Sequence, residues 1–136
     1  MKINPYINFN GNCREAMNFY KSCLGGEVTF LTIGESPMAS QCPEGKADQI
    51  MHAHLASPVL DLMGSDMGPE MGPDQTAQAS RVSIVVQCGI DEAPGLFDKL
   101  SAGGSVYCPL GPAFWGGTFG MVFDKFGIGW LITGAE

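Results

Sequence analysis

Apolar residues alternate along two short stretches, 3–10 and 81–88, and each stretch leads through a polar turn into apolar residues at helical spacing. In the first, Ala16, Met17, Tyr20, Cys23 and Leu24 share one helical face that stops at Gly25-Gly26. Asn12 stands where an N-cap is expected, and Glu15 follows it at the spacing of a capping box. In the second, Asp91 takes the capping position, Ala93, Leu96, Phe97 and Leu100 form the face, and Gly103-Gly104 ends it. Strand patterns follow each helix, at 27–33, 49–57 and 59–64 and again at 105–108, 118–124 and 128–133. Gly26 and Gly104 share one sequence offset with Val28 and Val106, so the pattern predicts an internal duplication of a βαβββ module.

The 136 residues suffice for one domain with a real core, 1–136, divided into module 1 (1–66), a connector (67–79) and module 2 (80–136). The connector is read from Met67-Gly68-Pro69-Glu70-Met71-Gly72-Pro73, whose Gly-Pro pairs exclude regular structure. A second long loop, Gly34 to Ala47, carries Pro37, Met38, Cys42 and Pro43 and is long enough to fold over a ligand cavity.

Composition narrows the partners. Seven basic against 14 acidic residues give a net charge of −7, spread over both halves, which argues against nucleic acid. No apolar run approaches the roughly 20 residues of a spanning helix, so no membrane partner is expected. Met1-Lys2-Ile3-Asn4-Pro5 has no apolar signal core, and a cytoplasmic location is the expectation. The five cysteines, Cys13, Cys23, Cys42, Cys88 and Cys108, have no CxxC spacing and read as reduced thiols without a disulfide or metal.

The densest chemistry lies in Phe114-Trp115-Gly116-Gly117-Thr118-Phe119-Gly120 and the following Asp124-Lys125-Phe126-Gly127-Ile128-Gly129-Trp130. Its glycines permit a tight reversal and close approach, and Asp124 reads as the turn aspartate of a hairpin. Together with the opening Tyr6-Ile7-Asn8-Phe9-Asn10-Gly11-Asn12-Cys13-Arg14-Glu15-Ala16, this stretch resembles the PhnB-like branch of the glyoxalase/bleomycin-resistance/dioxygenase superfamily, also called vicinal oxygen chelate. The resemblance implies an α+β fold in which two βαβββ modules form curved sheets around a cavity, with helices outside. It also implies a homodimer.

Enzymes of the glyoxalase type hold a divalent metal with one His, Glu or Gln from each of four strands. Carried onto this chain, those positions fall at Pro5, at Asp61, near Arg81 or Val82, and at Leu131. Only Asp61 is a competent ligand, so no metal and no other cofactor is expected at the superfamily site. His52 and His54 lie two residues apart on a strand and therefore on one face, where they can chelate if Asp61 comes opposite. The alternative is that His52 is a sheet residue bonded to a neighbour and His54 is partly exposed.

Asp61, among apolar neighbours in Val59-Leu60-Asp61-Leu62-Met63, is either a general base or ligand anchor, or an edge-strand carboxylate facing solvent. Phe114, Trp115 and Phe119 suit an aromatic wall around an organic ligand, or equally a plug or an interface. Trp130 should alternate away from Leu131 into the core. The expected ligand-binding residues are thus His52, His54, Asp61, Phe114, Trp115 and Phe119, with Asp61 and His52 as the catalytic candidates. PhnB-like sequences have also carried a demethylubiquinone methyltransferase label, but no nucleotide-cofactor motif supports methyl transfer. Two functions remain: a binder of a small organic molecule with a degenerate metal site, or a metal-dependent lyase, isomerase or dioxygenase using His52, His54 and Asp61.

Overall fold

Each half of the chain folds as strand, helix and three strands. The first contains β1 (Tyr6–Asn8), α1 (Cys13–Leu24), β2 (Glu27–Thr32), β3 (Ile50–Ser57) and β4 (Leu60–Ser65). The second contains β5 (Ile84–Gly89), α2 (Ala93–Ser101), β6 (Ser105–Pro112), β7 (Thr118–Phe123) and β8 (Gly129–Ala135). The structure, a computed structural model, describes residues 1–36, 47–66 and 82–135. The connector 67–79, Arg81, and the part of the 34–47 loop that holds Pro37, Met38, Cys42 and Pro43 lie outside the described residues. The chain divides into two compact units, Met1–Met71 and Gly72–Glu136.

The two sheets share one topology, with strand orders β1-β4-β3-β2 and β5-β8-β7-β6. In each, the first strand runs parallel to the last and the other pairs are antiparallel. The predicted duplication therefore appears as a repeated α+β module. The matched glycines have one physical role: a Cβ on Gly26 would press on the Ala56 carbonyl at the end of β3, and one on Gly104 would overlap the Phe123 carbonyl at the end of β7. Each helix returns to its sheet by passing directly over strand backbone, a contact only glycine allows.

Alternation then decides which face is covered. α1 buries Cys13, Ala16, Met17 and Tyr20 and packs on β3 and β4, whose Ala53, Leu55 and Leu62 are fully buried. α2 buries Ala93, Phe97 and Leu100 and packs on β7 and β8, where Val122, Trp130 and Ile132 are buried. Trp130 is thus the core residue its alternation predicts. Each of the larger aliphatic and phenylalanine side chains among these contributes about 1.5–3 kcal/mol by leaving water.

Several boundaries differ from the sequence pattern: β1 is shorter than 3–10, β5 starts at Ile84 rather than at 81, and β8 runs to Ala135 rather than 133. β6 runs on to Pro112 past the expected end at Cys108, through register irregularities flanking Cys108. It tolerates Pro109 because it is the edge strand of its sheet, where a missing N–H leaves no partner unsatisfied. Neither predicted side-chain cap forms. Asn12 makes no capping hydrogen bond, and α2 is preceded by Glu92 in helical geometry rather than capped by Asp91. At α1 the cap comes from the far end of the module. Asp66 Oδ1 accepts from the backbone N–H groups of Gly11 at 3.0 Å and Cys13 at 2.9 Å, while Oδ2 accepts from Ile50 N–H at 2.9 Å.

The four described cysteines, Cys13, Cys23, Cys88 and Cys108, are free thiols. Burial, reinforced by the nearby Asp66 carboxylate, pushes the Cys13 thiol from 9.0 up to about 12. A raised value means that the stability drawn from the neutral thiol is whole below pH 9.0 and is lost as the pH climbs toward about 12. Cys13 is accordingly expected to be the last of these four thiols to react with iodoacetamide in native protein, read by peptide mass spectrometry. Alkylation as fast as at Cys108 would contradict the placement. No helix among the described residues is long and apolar enough to cross a membrane.

Candidate functional site

Because Ala53 and Leu55 turn toward α1, the intervening His52 and His54 turn to the opposite face of the first sheet. The two-residue reversal at Pro58-Val59 sets Ser57 across from Leu60, which places Ala56 beside Asp61 and His54 beside Met63. Tyr6 of β1 pairs with Met63 from the other side, and Leu31 of β2 pairs with His52. The sheet face opposite α1 thus carries Tyr6, Leu31, His52, His54, Asp61 and Met63.

Two of the three sequence candidates meet on it. His54 Nε2 lies 2.7 Å from Asp61 Oδ1, and the Lys2 ammonium donates to Asp61 Oδ2. The Lys2 hydrogen bond, followed by that of His54, holds the Asp61 carboxyl below the usual carboxylate range. His52 does not join them. Its ring instead tilts against Tyr6, with centroids 6.0 Å apart and planes at 34°. The hydrogen-bonded neighbour expected for His52 belongs instead to His54, which is also partly exposed as expected, at 35%. Asp61 is not an edge-strand residue either, because β4 lies between β1 and β3.

A divalent ion of the superfamily kind does not fit these donors. In the first half Pro5 offers no side-chain donor, and its carbonyl accepts from Met63 N–H at 3.2 Å. Asp61 already has one oxygen on an ammonium and the other on an imidazole. In the second half Val82 and Leu131 have hydrocarbon side chains. Among the described residues, no group of three or more His, Cys, Asp or Glu side chains is placed to hold a metal.

The aromatic candidates cluster in the second unit, at the reversal joining β6 to β7. Ala113 N–H donates to the Gly117 carbonyl and Gly116 N–H to the Ala113 carbonyl, both at 3.0 Å. Gly117 has φ 72°, and a Cβ there would overlap the Gly134 carbonyl, so the turn is specified by glycine. Trp115 meets Phe114 edge to face at 4.7 Å and Phe119 at 5.5 Å. Phe114 is 97% exposed and Trp115 57%, so a large aromatic surface faces solvent in this chain.

Lys2, Tyr6 and Asp66 carry no sequence signal comparable to the histidine pair. Tyr6 is reachable by counting alternate residues on β1, but Lys2 precedes any periodic segment. An open cleft of about 430 Å³ also lies beside the start of α1, between Arg14, Glu15, Asp48 and Asp66. Asp66 turns both oxygens to backbone N–H groups there, which makes it a structural acceptor.

A family model described as 3-demethylubiquinone-9 3-methyltransferase matches residues 1–133. The chain is 33% identical to protein YjdN of Escherichia coli, over 98% of this chain and 95% of that protein. Protein PA1353 of Pseudomonas aeruginosa superposes with a TM-score of 0.81 at 40% identity, covering 99% of this chain and 98% of that one. The PhnB protein from Bacillus cereus superposes with a TM-score of 0.74 at 25% identity, covering 99% and 100%. The fosfomycin resistance protein FosX from Listeria monocytogenes, at 12% identity and a TM-score of 0.66 over 100% and 92%, is alike in fold alone.

Proposed function

The chain belongs to the 3-demethylubiquinone-9 3-methyltransferase family, the PhnB-like branch of the glyoxalase/bleomycin-resistance/dioxygenase superfamily, and from this we propose that it binds a small organic molecule without a resident metal. The observation that supports this most is the state of Asp61. The one carboxylate at a superfamily ligand position has its oxygens on the Lys2 ammonium and the His54 ring, and among the described residues no further His, Cys, Asp or Glu set converges with it for an ion. Solvent-facing Phe114 and Trp115, backed by the half-buried Phe119, supply the apolar contact that a metal-free binder relies on. We carry over from the resemblance that two copies pair. A reducing cytoplasm suits the free thiols.

The metal-dependent lyase, isomerase or dioxygenase reading needs His52, His54 and Asp61 on one ion, and the placement of His52 against Tyr6 speaks against that set. Methyl transfer, named in the family description, is not part of the proposal because the sequence has no glycine-rich nucleotide loop.

Elemental analysis of protein purified without chelator tests the reading. Zinc, nickel, manganese and iron are expected to be substoichiometric, and a stoichiometric amount of any one overturns it. In the same preparation Trp115→Ala should weaken binding of the neutral dye Nile red severalfold while changing stability by less than about 1 kcal/mol, as for other solvent-facing positions. Unchanged dye affinity removes Trp115 from the binding surface.

A further inference from the structure

We propose that Asp61 is the seat for a primary ammonium group, and that Lys2 is a tethered occupant which a cationic organic ligand displaces. The inference rests on the small-molecule-binding reading and names the ligand's chemical class. Lys2 belongs to the segment before β1 that has no regular structure, yet its ammonium reaches a carboxylate 59 residues away on β4. Its side chain is 67% exposed and that of Asp61 23%, so the pair is wet, weak and readily exchanged. The group that sits on Asp61 is itself a primary ammonium, a compact point charge with three donors.

The surroundings specify the rest of such a ligand. Tyr6 is 45% exposed and Leu31 38%, and they share the face with His52 and Met63, which sets aromatic and aliphatic surface beside Asp61, while Glu27, across from Ala56 on the edge strand β2, adds a second carboxylate to the same face. An amine bearing an apolar or aromatic body matches that pattern, with its charge on Asp61 and its body along Tyr6 and Met63. One carboxylate with an imidazole on its second oxygen balances a monovalent cation better than a divalent one, which needs several oxygen donors. A net charge of −7 also enriches cations near the surface. The lowered Asp61 value keeps the seat ionised at neutral pH.

The test compares 2-phenylethylammonium chloride with the neutral 2-phenylethanol by NMR titration of the wild-type chain, Lys2→Met and Asp61→Asn. Wild type should prefer the amine. Lys2→Met should tighten the amine about twofold to fivefold, the range set by releasing an exposed ion pair, and leave the alcohol unchanged. Asp61→Asn should abolish the preference with the circular dichroism of the fold retained. Lys2 is too exposed for its replacement to unfold the chain, so that arm reads binding alone. Equal binding of amine and alcohol to wild type, no gain in Lys2→Met, or a preference surviving in Asp61→Asn overturns the seat. Those results leave a metal-free binder of neutral molecules standing, whereas a stoichiometric metal overturns the underlying reading.

Discussion

Replacing Asp66 by alanine is expected to destabilise the chain by about 3–5 kcal/mol, because three backbone N–H groups lose one charged acceptor at once. Asp66 is 8% exposed, and water cannot easily take over its bonds. The bonds converge from the start of α1 and the start of β3 onto the end of β4, so one carboxylate fixes helix and sheet against each other. Those same two strands carry His54 and Asp61. Asp66→Asn should cost less, about 2 kcal/mol, since one oxygen remains for Gly11 and Cys13 while the amide faces Ile50 N–H as donor against donor. Urea unfolding reads the effect as a fall in midpoint of roughly 2 M for the alanine variant at constant slope. Asn12→Ala is the internal control: its side chain makes no capping bond, and a change below about 0.5 kcal/mol is expected. An Asp66→Ala shift no larger than that of Asn12→Ala would sink the assignment.

The contrast between these two residues shows what one sequence makes legible. Periodicity of 2 and 3.6 located the strands and helices, and the matched offsets of Gly26 and Gly104 located the repeat, because those signals arise within a few residues. The capping of α1 is not local. Asn12 has the right chemistry at the right place, but Asp66, 53 residues beyond Cys13, arrives there only through the sheet. β6 runs past Cys108 and through Pro109 because it is an edge strand, a position that only the assembled sheet reveals.

The candidate site divides along the same line. That His52 and His54 share a face follows from alternation alone. Which of them reaches Asp61 depends on register, set by the two-residue reversal after Ser57 that puts Ala56, not His54, directly across from Asp61. His54 therefore meets the carboxylate from one pair along, and His52 lies too far up the strand to share it. Lys2 was invisible because nothing local distinguishes it from any solvated lysine.

Asp124→Ala should cost the second unit about 3–4 kcal/mol, by loss of a carboxylate that is 3% exposed and triply bonded. Its Oδ1 accepts from Phe126 N–H at 2.8 Å and Ile128 N–H at 3.0 Å, which closes the β7–β8 reversal, and its Oδ2 accepts from the Trp130 indole N–H at 2.8 Å. The turn aspartate and the core tryptophan are both readable from sequence, but the bond that ties the turn to the core is not. Asp124→Asn separates the two duties: its oxygen can keep the turn bonds while its amide opposes the indole N–H, at a cost of about 1–3 kcal/mol. Trp130→Phe removes that opposing donor. The phenylalanine replacement should therefore be less costly in the Asp124→Asn chain than in wild type, by about 1 kcal/mol or more, in a double-mutant cycle read by urea unfolding. Additivity within about 0.5 kcal/mol would mean that the indole bond carries no coupling and that the turn alone accounts for Asp124.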